Sequence, residues 1–156
     1  MKILKKVLKA IIFIPITLIA LVITFEIIGM IINHAATVRQ TRTLQNTIQK
    51  ELASVEIIDT YSETGNTSGT GNHVDMLSVV LFKTKDNPGE IEDKLKEYYV
   101  FDEWTCFIVS LDTVKQKQNE GFYSFANQMN IPTPSENSYF MYLNQSAPFA
   151  DNIVGH

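Results

Sequence analysis

A single cysteine, Cys106, denies this chain any internal disulfide, so its core must hold by packing alone. Tryptophan is equally scarce, with Trp104 the sole example. Three histidines, His34, His73 and His156, are too few and too scattered to announce a metal site. Basic charge is short as well. Of 13 basic and 17 acidic residues, four lysines and Glu26 fall in the first 32 positions, which leaves 9 and 16, a net −7, for the rest. An acidic domain lacks the basic footprint that phosphates require, which argues against nucleic acid as a partner. No phosphate-binding loop is present either: Gly65-x-x-x-Gly69-x-Gly71 lacks the Lys-Ser/Thr that such a loop needs, and a strand pattern follows where a helix should start.

What the chain does have is one long apolar run, Ala10 to Ile32, AIIFIPITLIALVITFEIIGMII. As a helix its 23 residues would span about 34 Å, against a bilayer core of about 30 Å. Lys2, Lys5, Lys6 and Lys9 stand immediately before it, outweighing Arg39 and Arg42 after it, and predict a cytoplasmic amino terminus. The run is longer than a cleavable signal core, and its exit, Asn33-His34-Ala35-Ala36, places Asn33 or His34 where a small residue is wanted, so retention as an anchor is expected.

Beyond the run, residues 33–53 contain no glycine or proline. Val38, Ile48 and Leu52, with Leu44 nearby, mark a thin apolar face that the domain or a partner must cover. Val55 to Tyr61 and His73 to Thr84 read as two strands of an antiparallel hairpin around Thr64 to Asn72, TGNTSGTGN, a loop with no apolar side chain for the core. Such a loop is expected to be dispensable for folding and free to be shortened. Asn87, Pro88 and Glu90 carry the start signals of a helix whose Ile91, Leu95 and Tyr98 form a stripe. WTCFIVSL, Trp104 to Leu111, has almost no polar residue and predicts a central strand. A helix over Phe122 to Met129, a break at Ile131-Pro132-Thr133-Pro134 and a strand at Ser138 to Leu143 complete the pattern. The organisation predicted is therefore a basic leader (1–9), a transmembrane helix (10–32), a helical stalk (33–53), an α+β domain (54–145) with a small, mostly antiparallel four-stranded sheet and one or two packed helices, and a loosely ordered tail (146–156).

Few residues carry chemistry. An acid within a span points to a partner's cation or a helix contact. If the span is instead Val7 to Phe25, Glu26 reaches the outer headgroups, which is the reading preferred here. His73 and Asp75 lie on one face of a strand and could supply two metal ligands, one or two short of a site. Asn66 and Asn72, in and at the end of an exposed loop, join them as candidate ligand or partner contacts. Cys106 sits in an apolar strand without a basic neighbour and reads as a buried, inert thiol. Asp102 and Glu103 read as solvated turn residues. No catalytic residue, cofactor or metal is assigned.

A hydrophobic amino-terminal helix containing an acid, a continuing stalk and a small β-containing head together resemble the plan of type IV pilins and pseudopilins. The resemblance implies a filament or secretion subunit. In that family a basic leader ends in Gly and Phe-Thr-Leu-x-Glu opens the span, whereas here the leader has no Gly and Thr24-Phe25-Glu26 lies at the far end. The reading preferred on the residues is a single-pass, membrane-anchored extracytoplasmic module, non-enzymatic, touching the lipid bilayer through residues 10–32 and binding a protein or cell-envelope partner. The alternatives are the pilin-like subunit and a small hydrolase with a site assembled from scattered residues such as His73 and Asp75.

Overall fold

The structure, a computed structural model, describes residues 2–69, 71–117, 121–131 and 137–155. Its dominant element is α1, Lys2–Glu51, 50 residues with Pro15 inside and about 75 Å long at 1.5 Å per residue. From Ile11 to Phe25 every side chain is exposed. Thr17 and Thr24 return their hydroxyls to the carbonyls of Phe13 and Ala20, each at 2.8 Å, so the hydroxyls of this stretch are satisfied within the helix. Further on the character changes. Gly29, Asn33, Thr37, Thr41, Leu44, Ile48 and Leu52 are buried at steps of three and four, a single stripe along the helix. The thin apolar face of residues 33–53 is thus covered by the domain itself.

What covers it is a four-stranded antiparallel sheet of β1 (Glu56–Gly65), β2 (Asp75–Lys83), β3 (Cys106–Ser110) and β4 (Ser138–Ser146), in the order β1-β2-β4-β3. Ser54, at φ 56°, turns the chain from α1 into β1. β1 and β2 form the expected hairpin, with an irregularity at Ile57–Asp59. The fold is α+β, as the sequence pattern predicts.

Period-two alternation sorts the side chains into two layers. On one face Val80, Phe82, Met141, Leu143 and Cys106 pack against Leu44 and Ile48 of α1 and against Ile91 and Leu95 of α2 (Pro88–Leu95). The predicted capping box at the start of α2 is in place: Glu90 N–H donates to Asn87 Oδ1 at 3.1 Å and Asn87 N–H to Glu90 Oε2 at 2.9 Å. On the other face Leu77, Val79, Leu81, Phe140 and Tyr142 meet Leu111 and Val114 of α3 (Leu111–Gln116) and Phe125 of a 3-10 stretch, Gly121–Gln128.

Three expectations are corrected here. The segment around Trp104 to Leu111 is not central: β3 is an edge strand paired with β4 alone, Trp104 is exposed, and Leu111 opens α3 behind an Ser110 cap. Its apolar residues reflect two helical layers that half-cover both its faces, which does not require a strand on each side. The helix expected over Phe122 to Met129 is 3-10 in form and kinked at Tyr123. Finally, the tail is not loose. Ala147 N–H donates to Val74 O at 2.9 Å, Val74 N–H to Ala150 O at 2.6 Å, and residues 149–153 are tied to α1. The proline break at 132–134 lies outside the described residues.

Candidate functional site

β2 and β4 place Asp75, Leu77 and Val79 opposite Ser146, Asn144 and Tyr142, all on the face turned away from α1. α3 and the 3-10 stretch cover that face around Phe140 and Tyr142. At the Asp75–Ser146 end the loop between β1 and β2 and the turn before β3 border it instead, and a cleft of about 730 Å³ opens between them. That volume is within the range of small-molecule sites.

Its floor is polar and ordered. Asp75, with a side chain 5% exposed, accepts from His73 Nε2 at 2.9 Å on one oxygen and from Ser68 N–H at 3.1 Å on the other. Thr67 Oγ1 donates to Asn144 Oδ1 at 3.2 Å, and Asn144 N–H donates to Thr105 O at 2.7 Å. Tyr142 stacks on Phe107 with ring centroids 4.6 Å apart. Burial first, then the charges of Asp75 and Glu63, pushes its phenol up to about 12.

One wall is Trp104, 73% exposed. Asp102 builds the turn that carries it, accepting from Trp104 N–H at 2.6 Å, from Thr105 N–H at 2.5 Å and from the Thr105 hydroxyl. These bonds, the Thr105 hydroxyl foremost, hold the Asp102 carboxyl down to about 2. A carboxyl depressed below its ordinary value of 3.8 supports the turn above about pH 4, and that support is lost as pH falls towards 2. Trp104 fluorescence anisotropy should therefore fall between about pH 4 and 2. In Asp102→Ala it should be low at neutral pH and flat across that window; an anisotropy equal to wild type would show that Asp102 does not order the turn.

The loop between β1 and β2 is less free than its composition suggests. Asn66 donates to the carbonyls of Gly71 and Gly155 and accepts from Gly69 N–H. Gly155 lies so close beneath that a Cβ there would meet His73 C at 2.5 Å. With Thr67 on Asn144 and Ser68 on Asp75, shortening the loop removes specific bonds, so its expected dispensability does not survive. Of the residues singled out by sequence, His73 and Asp75 line the cleft, Asn66 pins the loop behind it, and Asn72 is exposed without lining it. Trp104, Tyr142 and Asn144 were missed. Alternation along SYFMYLNQS puts 140, 142 and 144 on one face, which is a usable signal, but nothing local says which loop faces them.

Glu26 belongs to a second place. Its Oε2 accepts from Asn152 Nδ2 at 2.8 Å and from Ile153 N–H at 3.0 Å, and its backbone carbonyl also receives Asn152 Nδ2 at 2.8 Å. Two turns along, Asn33 forms a closed pair with the Phe149 backbone: Nδ2 donates to Phe149 O and Phe149 N–H donates to Oδ1, both at 2.9 Å. Phe25 meets Phe149 edge to face at 5.7 Å. Gly29 lies between, where a Cβ would stand 2.7 Å from Asn152 Nδ2. The acid in the apolar run thus fastens residues 149–153 to α1.

His73 directs Nε2 to Asp75, which orients the ring, and a Cβ at Gly71 would stand 3.3 Å from its Nδ1. Among the described residues no cluster of three His, Cys, Asp or Glu side chains could hold a metal. Cys106 is buried, and burial, followed by the charges of Asp102 and Glu92, pushes its thiol up to about 12, far from a thiolate nucleophile. No protein-family model, no curated protein and no solved structure matches the chain.

Proposed function

We propose that this chain is a single-pass membrane protein whose α+β head sits outside the cytoplasm, close to the bilayer surface, as a non-enzymatic binding module of the cell envelope. One observation carries the reading: α1 leaves every side chain from Ile11 to Phe25 exposed while its distal half is part of the head's core. The helix is long and apolar enough to cross a membrane, and water would not tolerate so large an uncovered apolar surface. The fastening of Asn152 and Ile153 at Glu26 favours a span that ends near Phe25. Residues 7–25 give about 28 Å, enough for the hydrocarbon core. Ile27, Ile28, Ile31 and Ile32, exposed beside the docked segment, then fall at headgroup level. The lysines before the run support a cytoplasmic amino terminus. The filament-subunit reading draws on the same half-buried helix, and amino-terminal sequencing of the mature protein, by finding a removed leader, would favour it.

Orientation can be tested with one introduced cysteine because the sole native cysteine is buried. Glu103→Cys, in the exposed turn beside Trp104, should react with a membrane-impermeant maleimide in intact cells, with wild type giving little background. Labelling only after lysis would reverse the orientation.

A further inference from the structure

The cleft beside Trp104 has a composition that selects among ligand chemistries. Among the described residues no lysine or arginine lines it, and His73 has its Nε2 on the buried Asp75 carboxylate, so a phosphate or carboxylate ligand would find no free counter-charge. A purely apolar ligand would lay hydrocarbon over the Asp75 carboxylate, its His73 partner and the Ser146 hydroxyl. A quaternary ammonium wants several open aromatic faces, and here Tyr142 is stacked on Phe107, which leaves Trp104 as the open one.

What fits is a neutral molecule with one apolar face and a rim of hydroxyls, each able to donate and accept. We propose that the cleft binds a glycan, with a pyranose ring laid on Trp104 and its hydroxyls bonded to Asn144, Thr105 and the His73–Asp75 pair. Amphipathic aromatic surface beside a few placed polar groups is how small-ligand sites combine affinity with orientation. Asp102, by ordering the turn at Trp104, acts as a positioning residue. The same sugar could arrive free or as the headgroup of a glycolipid.

As the ligand of the binding module proposed above, the glycan rests on that reading, yet it is tested on purified full-length protein in polyoxyethylene-ether micelles, where orientation plays no part. Trp104 is the sole tryptophan, so its emission reports the cleft directly. Titration with N-acetylchitotriose, cellotriose or maltotriose should give a saturable blue shift with at least one of them at about 10 mM or below. Asn144→Ala should weaken that binding about tenfold or more. Because Asn144 is buried and its loss could disturb folding, Trp104→Ala, truncated at an exposed position, supplies the second arm. It should keep the wild-type circular dichroism and lose the saturation-transfer NMR signal of the sugar. No shift with any trisaccharide, a shift with tetramethylammonium alone, or sugar binding that survives Trp104→Ala would overturn the proposal. If the free sugar binds, liposomes containing monogalactosyl diacylglycerol serve for the source: competition between these and the trisaccharide supports a headgroup, and its absence supports a free glycan.

Discussion

Phe140→Ala should destabilise the head by about 3–5 kcal/mol, the cost of truncating a fully packed aromatic. Phe140 is 0% exposed, sits on β4 between Leu81 of β2 and Val109 of β3, and meets Phe125 edge to face at 5.5 Å. Ile108→Ala, on the edge strand and only half-buried, should cost about 1–2 kcal/mol in proportion to the smaller area it hides. Urea unfolding of the full chain in micelles, followed by near-ultraviolet circular dichroism, measures both. Equal costs would mean that β3 is as enclosed as β4, and the strand order would be wrong.

That contrast explains what a linear reading recovers. A cap, a proline at the first helical position and a stripe are local, and α2 was legible from Asn87, Pro88 and Ile91. The hairpin was legible because Gly-rich residues separate two β-branched runs. Strand order was not, because WTCFIVSL and SYFMYL are both apolar, and which lies at the edge depends on partners far away in sequence. The order of residues 146–155 is likewise invisible to a local reading, which expects a terminal segment to be loosely held. SAPFADNIVG has neither helical nor strand periodicity, yet its bonds reach α1 across 116 to 127 residues. The docking stripe on α1 was hidden for a related reason. Glu26, Gly29, Asn33, Thr37 and Thr41 continue the helical spacing of Leu44 and Ile48, but a search for apolar faces passes over polar members. In sequence Asn33 is merely a residue unsuited to a cleavage site, whereas in the fold its buried side chain closes a two-bond pair.

The cleft was half legible. His73 and Asp75 are two apart on one strand approach, so their pairing could be read; Trp104 came from a segment assigned to the core. In the cleft the exposed ring is held by a turn that Asp102 organises, and in the second place a glutamate inside an apolar run is matched by backbone and amide donors. Both are local exceptions to the hydrophobic pattern, and both are where the chain commits polar groups that its fold alone would not require.

The docked segment carries the other large expected effect. Asn33→Ala removes both partners of the Phe149 backbone, a loss of about 2–3 kcal/mol for two bonds with their donor and acceptor left unpaired. Gly29→Leu should act by a separate route, since even a Cβ at that position stands 2.7 Å from Asn152 Nδ2 and a longer side chain must push the segment off the helix. Local opening becomes more populated by the same free energy. Cleavage that depends on opening should then rise about 30- to 150-fold, at tenfold per 1.4 kcal/mol. Chymotrypsin acting after Phe149 in proteoliposomes reads this directly, provided the head faces outward. Glu26→Gln should produce a smaller rise, because the amide oxygen still accepts from Ile153 N–H while its new N–H₂ faces the Asn152 amide. The head core should be spared in all three variants: Phe82, Phe140 and Leu95 lie in the two core clusters, away from Glu26, Gly29 and Asn33. Cleavage at the wild-type rate in both Asn33→Ala and Gly29→Leu would show that the segment is held elsewhere, and the role assigned to the acid in the apolar run would fall with it.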